Sequence, residues 1–250
     1  MKQSIIYALD FDGVICDSAI ETGVAGWKAA MHIWDEIVTP LPPQKVLDQF
    51  CKARPIMETG YEAILIMKML NDGEQVEVIL NDFHEQKDKL IRNSDLDIEF
   101  LKKLFGETRD KWIQDDLNEW VEMNPLFSGV AEKLKHLASQ ELWYIITTKQ
   151  ERFVKHILTA NQINIPDDRV FGLDKKMSKE AVLLDLVDKH PQESIYFVED
   201  RFPALLNVIK NKKLASVQLF FAVWGYNTEK DELDAQKEAI ELIGLDDFLV

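Results

Sequence analysis

The hydrophobic pattern changes period twice along the chain. Ser4-Ile-Ile-Tyr-Ala-Leu9 is a short apolar run that stops at Asp10-Phe-Asp-Gly13, and its length and isoleucine content predict a buried strand. From Asp17 to about Glu122 apolar positions recur at helical spacing: Val24, Trp27, Ala30, Met31 and Trp34 on one stretch, Ala63, Ile64, Met67 and Leu70 on another. Breaks at 39–43 (Thr-Pro-Leu-Pro-Pro) and 71–73 (Asn-Asp-Gly), with long amphipathic stretches over 76–91 and 96–121, predict about five helices and no strand. After Asn124-Pro125 strand and helix alternate. Strands are expected near 142–147, 170–172, 195–199 and 216–223, and helices from about Gly129, Glu151, Lys179 and Pro203.

Alternation of this kind predicts a parallel sheet covered on both faces, which the N-terminal strand joins. The expected fold class is therefore α/β: a doubly wound parallel sheet built from 1–16 and 126–250, with an all-helical domain inserted at 17–125. No internal repeat or low-complexity tract is visible.

Composition narrows what such a fold could serve. Hydrophobic residues make up 46% of the 250 positions and charged residues 29%, enough for a core and for a protein that folds by itself. The net charge of −15 repels nucleic acid and anionic membrane, so neither is expected as a partner. It also repels phosphorylated metabolites, so an anionic substrate would need concentrated local positive charge. The longest apolar runs, 63–67 and 219–224, fall far short of the roughly 20 residues that cross a bilayer. Asp10 and Asp12 would interrupt the apolar region of a signal peptide, and a cytoplasmic protein is expected. Cys16 and Cys51 can make no disulfide framework, and neither has zinc-ligand spacing.

In open parallel sheets ligands bind at the carboxyl ends of strands. Here three strand ends read Asp10-Phe-Asp12-Gly13, Thr147-Thr-Lys149 and Glu199-Asp200-Arg201. One acidic strand end is ordinarily a helix cap or a solvated turn, which explains three together poorly. Clustered carboxylates repel one another unless a cation joins them, and oxygen-only ligands suit a hard ion such as Mg²⁺. With the ion in place one carboxylate can attack phosphorus and form an aspartyl-phosphate, while a second protonates the leaving oxygen and later deprotonates water. Thr147 and a lysine would hold the phosphoryl oxygens.

These residues resemble a known family. Leu9-Asp-Phe-Asp-Gly-Val-Ile-Cys-Asp-Ser18 is similar to the first motif of the haloacid dehalogenase superfamily, Tyr144-Ile-Ile-Thr-Thr-Lys149 to its second and Tyr196-Phe-Val-Glu-Asp200 to its fourth. The resemblance implies Asp10 as nucleophile, Asp12 as general acid/base, and Asp10, Asp12, Glu199 and Asp200 as the metal site. It also implies a third-motif lysine one helix before the fourth motif. Lys179, at the start of a predicted helix, fits best among Lys175, Lys176 and Lys179, and Lys176 is the reserve.

By the same resemblance the inserted helices form a C1-type cap and Pro125-Leu-Phe-Ser-Gly-Val130 the return into the core. The pattern is that of the phosphoglycolate phosphatase-like branch, and residues 197–208 also resemble uncharacterised plant-type members. Three departures stand out: the Lys-Pro of the third motif is absent, Thr148 replaces the common Asn or Ser, and Ala204 stands where many members carry Asp. The last shifts metal support to Glu199. Asp12 argues against dehalogenation, since family dehalogenases and phosphonatases lack it.

The implied activity is Mg²⁺-dependent hydrolysis of a small phosphorylated metabolite. A phosphomutase of the same family and a non-catalytic binding protein of the same fold are the competing readings. Elsewhere, Asp17-Ser18 is expected to cap the first helix of the insertion. Trp27, Trp34, Trp112 and Trp120 are expected in the core of the helical domain, and the five histidines show no metal-ligating grouping. Arg54, in the irregular stretch 50–61, is a candidate contact to an anionic part of the substrate. No interface patch for an oligomer is legible.

Overall fold

The computed structural model describes residues 4–250. The chain divides into two compact units: one runs to Asp17 and resumes at Pro125, the other is Ser18–Asn124.

The first unit is built on β1 (Ile5–Leu9), α7 (Val130–Gln140), β2 (Leu142–Ile146), α8 (Glu151–Ala160), β3 (Val170–Phe171), α9 (Lys179–Lys189), β4 (Ser194–Glu199), α10 (Phe202–Lys210), β5 (Gln218–Ala222), α11 (Glu229–Lys237), β6 (Glu241–Ile243) and α12 (Leu245–Leu249). The strands of the described residues form one six-stranded parallel sheet in the order β3-β2-β1-β4-β5-β6. The chain leaves β1 in one direction to β2 and β3, then returns to β4 on its other side. Strand order reverses at β1, which places a topological switch point at the carboxyl ends of β1, β2 and β4.

Alternation along the strands decides what each face buries. Ile6 and Ala8 of β1, Tyr144 and Ile146 of β2, and Ile195 and Phe197 of β4 point to one side. There they pack with Val182, Leu183 and Leu186 of α9, Leu205 and Val208 of α10 and Ala235 of α11. The chain thus forms the expected doubly wound sheet. The sequence pattern did not predict α11, β6 or α12. β6 has three residues, of which Glu241 is exposed, too few to establish a period of two.

Among the described residues the second unit holds only helices as regular elements: α1 (Ala19–Ala30), α2 (Gln44–Ala53), α3 (Glu62–Asn71), α4 (Val76–Asn93), α5 (Ile98–Asp115) and α6 (Leu117–Glu122), with a 3-10 turn at Arg54–Ile56. α1 and α3 approach closely because α1 presents glycine: a Cβ on Gly26 would lie 2.7 Å from the Ala63 carbonyl carbon. α4 kinks at Asp82, whose backbone leaves helical geometry. The predicted stretch 96–121 is interrupted at Asp116, which turns extended and caps α6 by accepting from the Glu119 N–H. Trp27, Trp112 and Trp120 are buried as expected, while Trp34 is half-buried.

Inside this unit the Glu21 carboxylate is fully buried. It accepts from Arg109 Nε at 2.8 Å, from Arg109 Nη2, and from Trp120 Nε1 at 2.9 Å. The Asp17-Ser18 reading is corrected: Ser18 occupies the N-cap position without a side-chain capping bond, because its backbone (φ −97°, ψ 10°) is not the extended conformation that aims the hydroxyl at the first turn. Asp17 instead accepts from the Tyr226 hydroxyl at 2.8 Å. No helix among the described residues is long and apolar enough to cross a membrane.

Candidate active site

Asp10 is the residue after β1. Its N–H still donates to the Val198 carbonyl of β4, at 3.0 Å, so the side chain is set by the sheet itself. The chain then folds back tightly: the Phe11 carbonyl accepts from Ile15 and Cys16, and Gly13 donates to the Cys16 carbonyl with φ at +92°. Asp12 rides on this turn. Gly13 is required twice, because a side chain there would be strained at this φ and its Cβ would lie 1.9 Å from Asp200 Oδ2.

β4 supplies the opposing acids. Glu199 and Asp200 are both fully buried. Asp200 Oδ2 accepts from the Tyr226 N–H at 2.6 Å, and Gly225 leaves room on its other flank, where a Cβ would come within 2.3 Å of Asp200 Cβ. Glu199 accepts from the Arg201 N–H at 3.1 Å and from the ammonium of Lys179.

Two lysines complete the site. Lys179, at the first position of α9 behind the Ser178 cap, sits 2.7 Å from Asp10 Oδ1 and 2.5 Å from Glu199 Oε2. Lys176 is exposed in a left-handed turn, and Lys175 donates to the Asp167 carbonyl, so Lys179 alone of the three candidates is joined to these acids. Lys149, not among the sequence-derived site residues, is almost wholly buried and places its ammonium 2.8 Å from Asp12 Oδ1. A lysine beside a strand end is ordinarily a surface cation; its partner here lies 137 residues earlier in the chain, which local pattern does not reveal. Thr147 is buried at the end of β2, with its hydroxyl accepting from the Lys149 N–H at 3.1 Å. Arg54 belongs to the other unit, where it is buried at the start of the 3-10 turn.

The structure thus joins Asp10, Glu199, Asp200 and Lys179, and separately pairs Asp12 with Lys149. Asp10, Glu199 and Asp200 each offer an oxygen within 4.8 Å of the other two. Asp12 is not one of that group; its carboxylate is turned to Lys149. The four carboxylates outnumber the two ammonium groups paired with them. Three buried oxygen donors with that excess fit a hard ion such as Mg²⁺. They do not suit a soft metal, and no histidine or cysteine shares the group.

The electrostatics agree with this shortage of positive charge. Burial, then the Glu199 carboxylate, push Asp10 up to about 7 against the pull of Lys179. Burial alone would lower the Lys179 ammonium, but Asp10 and Glu199 overcome it and hold the group well above its ordinary value. Since the folded-state value of Asp10 is raised, its protonated form favours folding at low pH, and that contribution is lost as pH rises through about 7. A cation bound by the ionised group competes with that proton. Mg²⁺ is therefore expected to raise the melting temperature more well above pH 7 than well below it; equal shifts at both would count against a cation on Asp10.

No family model matches the sequence, and no curated relative does. Solved structures match over nearly their whole length. A protein described as a predicted phosphoglycolate phosphatase from Haemophilus somnus is 17% identical with a TM-score of 0.61, covering 100% of this chain and 96% of its own. A haloacid dehalogenase-like family hydrolase from Streptococcus pneumoniae is 16% identical with a TM-score of 0.59, over 98% of this chain and 95% of its own. A predicted phosphatase from Clostridium acetobutylicum is 16% identical with a TM-score of 0.56, over 97% and 93%. The chain has the haloacid dehalogenase-like fold, and at these identities the likeness speaks to architecture.

Proposed function

We propose that this protein is a phosphoric monoester hydrolase, a Mg²⁺-dependent cytoplasmic phosphatase that releases phosphate from a small phosphorylated metabolite through an aspartyl-phosphate on Asp10. One observation carries the reading. Two carboxylates two residues apart are each held by a different lysine, Asp10 by Lys179, which also holds Glu199, and Asp12 by Lys149, at the switch point of a parallel sheet. Asp10 stands where the nucleophile would, and Asp12, two residues on, enters the first step carrying the proton that the leaving oxygen needs. The resemblance of the three motifs, and the phosphatase descriptions of two proteins sharing the fold, support the same reaction.

In the first half of the reaction an Asp10 oxygen attacks phosphorus, the bond from phosphorus to the ester oxygen breaks, and Asp12 gives its proton to that oxygen. In the second, Asp12 takes a proton from water, the water oxygen attacks phosphorus, and the bond to Asp10 breaks to release inorganic phosphate and restore the carboxylate. Mg²⁺ held by Asp10, Glu199 and Asp200 would offset the charge that opposes a carboxylate attacking a phosphate. Lys179 orients Asp10 and supplies positive charge for the phosphoryl oxygens, which the net charge of −15 otherwise denies them. Thr147 donates its hydroxyl hydrogen to the same oxygens while its oxygen keeps the Lys149 N–H. Lys149 sets the position of Asp12. The helical unit is read as the cap that selects the substrate.

The test is phosphate release from a panel of phosphorylated metabolites and p-nitrophenyl phosphate, with Mg²⁺ and with chelator. Turnover that requires Mg²⁺ is expected for at least one small monoester. An isomerised phosphosugar in place of free phosphate would assign a mutase instead, and silence from well-folded protein across the panel would overturn the hydrolase.

A further inference from the structure

The path of the chain leaves one part of the core sheet thinly covered. The crossovers into β4, β5 and β6 run through α9, α10 and α11, which share the face of Ile6, Ala8 and Phe197. On the opposite face, over β4, β5 and β6, the first unit supplies the five-residue α12, and beside it lies a cavity of about 190 Å³. Its floor is aromatic. Tyr7 and Tyr196 meet edge to face at 5.7 Å between centroids, and Tyr196 and Phe220 at 4.9 Å. Phe248 of α12 closes one wall and stacks on Trp224 at 5.6 Å.

A single cation enters this ring-lined space. The Lys133 ammonium, from α7, lies 5.7 Å from the Tyr7 centroid and 5.7 Å from that of Phe248. It makes no ion pair with a carboxylate of the described residues. Burial pushes the group below its ordinary value, so the charge is held at a cost that ring faces only partly offset. Glu241 and Asp247 also line the cavity, both exposed, and Asp247 is already engaged by the Gly244 N–H at 2.9 Å. These two acids would repel a doubly charged phosphate, whereas one ammonium satisfies a single carboxylate. An apolar cavity of about 150 Å³ is enough to hold a benzene ring, so the volume here takes one ring with a short substituent.

We propose that this cavity binds a small single-ring aromatic carboxylate, its ring among Tyr7, Tyr196 and Phe220 and its carboxylate on Lys133. The site stands apart from the candidate active site in residues and in chemistry, and the proposal does not depend on the phosphatase reading. It is tested on the full chain by calorimetric titration with 3-phenylpropionate, phenethylamine (the same ring with a cation) and propionate (the same anion without a ring). Saturable millimolar or tighter binding is expected for 3-phenylpropionate, at least about tenfold weaker for the other two. Lys133→Met, which keeps the apolar stem, is expected to weaken 3-phenylpropionate by about tenfold or more without lowering the melting temperature. Tyr196→Leu serves as a second variant, with the same expected direction. Phenethylamine binding as tightly as 3-phenylpropionate, affinity unchanged in both folded variants, or no saturable binding by the wild type would each overturn the site.

Discussion

Asp10→Asn is expected to lower phosphate release by about 10⁴-fold or more, the scale on which removal of a covalent nucleophile acts, while the protein stays folded. The amide has the size of the carboxylate but cannot attack phosphorus. Folding should survive because the change removes charge from a site that holds too much of one sign: burial, then Glu199, already push Asp10 up to about 7, and Lys179 still has Glu199 as a partner when residue 10 is neutral. In chelator the variant is therefore expected to melt at or above the wild-type temperature. The melting shift produced by Mg²⁺ should shrink in the same variant, since one of its three oxygen donors is lost. Thermal melts with and without Mg²⁺, beside the phosphate assay, separate the roles. Activity that persists in Asp10→Asn would remove Asp10 as the nucleophile; lost activity with an undiminished Mg²⁺ shift would keep it as nucleophile and remove it as a cation ligand.

How much of this site was legible in the sequence follows from where each residue's partners lie. Asp10 and Asp12 stand at the end of an apolar strand, where charge without a partner is costly, so the local pattern already marks them. Glu199 and Asp200 are marked in the same way. Lys179 could be preferred over Lys176 because a helix begins there, and the fold explains the preference: Lys176 sits exposed in a left-handed turn at φ +54°, while Lys179 reaches Asp10 and Glu199. Lys149 was legible only as a cation at a converging strand end, not as the partner of Asp12, and the Trp224-Gly-Tyr226 segment was not legible as part of the site. Each acquires its role only when strands far apart in sequence become neighbours. Gly225 must lack a side chain because Asp200 lies against it, and Tyr226 donates to Asp200 because β5 pairs with β4. The end of the predicted strand 216–223 carried the available signal, a glycine between two aromatic residues at the same sheet edge. Helix breaks at Asp82 and Asp116 escaped for the opposite reason: amphipathic periodicity continues across them, and a single residue's backbone departs.

Glu21→Ala is expected to cost about 3–5 kcal/mol of stability, the range for stripping one partner from a buried ion pair. Arg109 holds this carboxylate with two nitrogens, and Trp120 donates to it as well, all three side chains being buried. Removing the carboxylate takes both ion-pair contacts from a buried guanidinium, which keeps the Thr22 hydroxyl at 3.2 Å and the Phe105 ring at 4.3 Å from its centroid. The loss should fall on the helical unit, so denaturant unfolding followed by tryptophan fluorescence is the suitable measurement; Trp27, Trp34, Trp112 and Trp120 all belong to that unit. The pair itself is not expected to be worth that much. Desolvating two charges consumes most of their attraction, so the double variant Glu21→Leu with Arg109→Met should recover most of the stability that Glu21→Ala loses. A cost below about 1 kcal/mol for Glu21→Ala would mean that water reaches Arg109 and the network is not sealed. A double variant as unstable as the single one would instead assign the cost to packing around α1, where Gly23 and Gly26 already hold Phe50 and Ala63 at close range, and not to the broken ion pair.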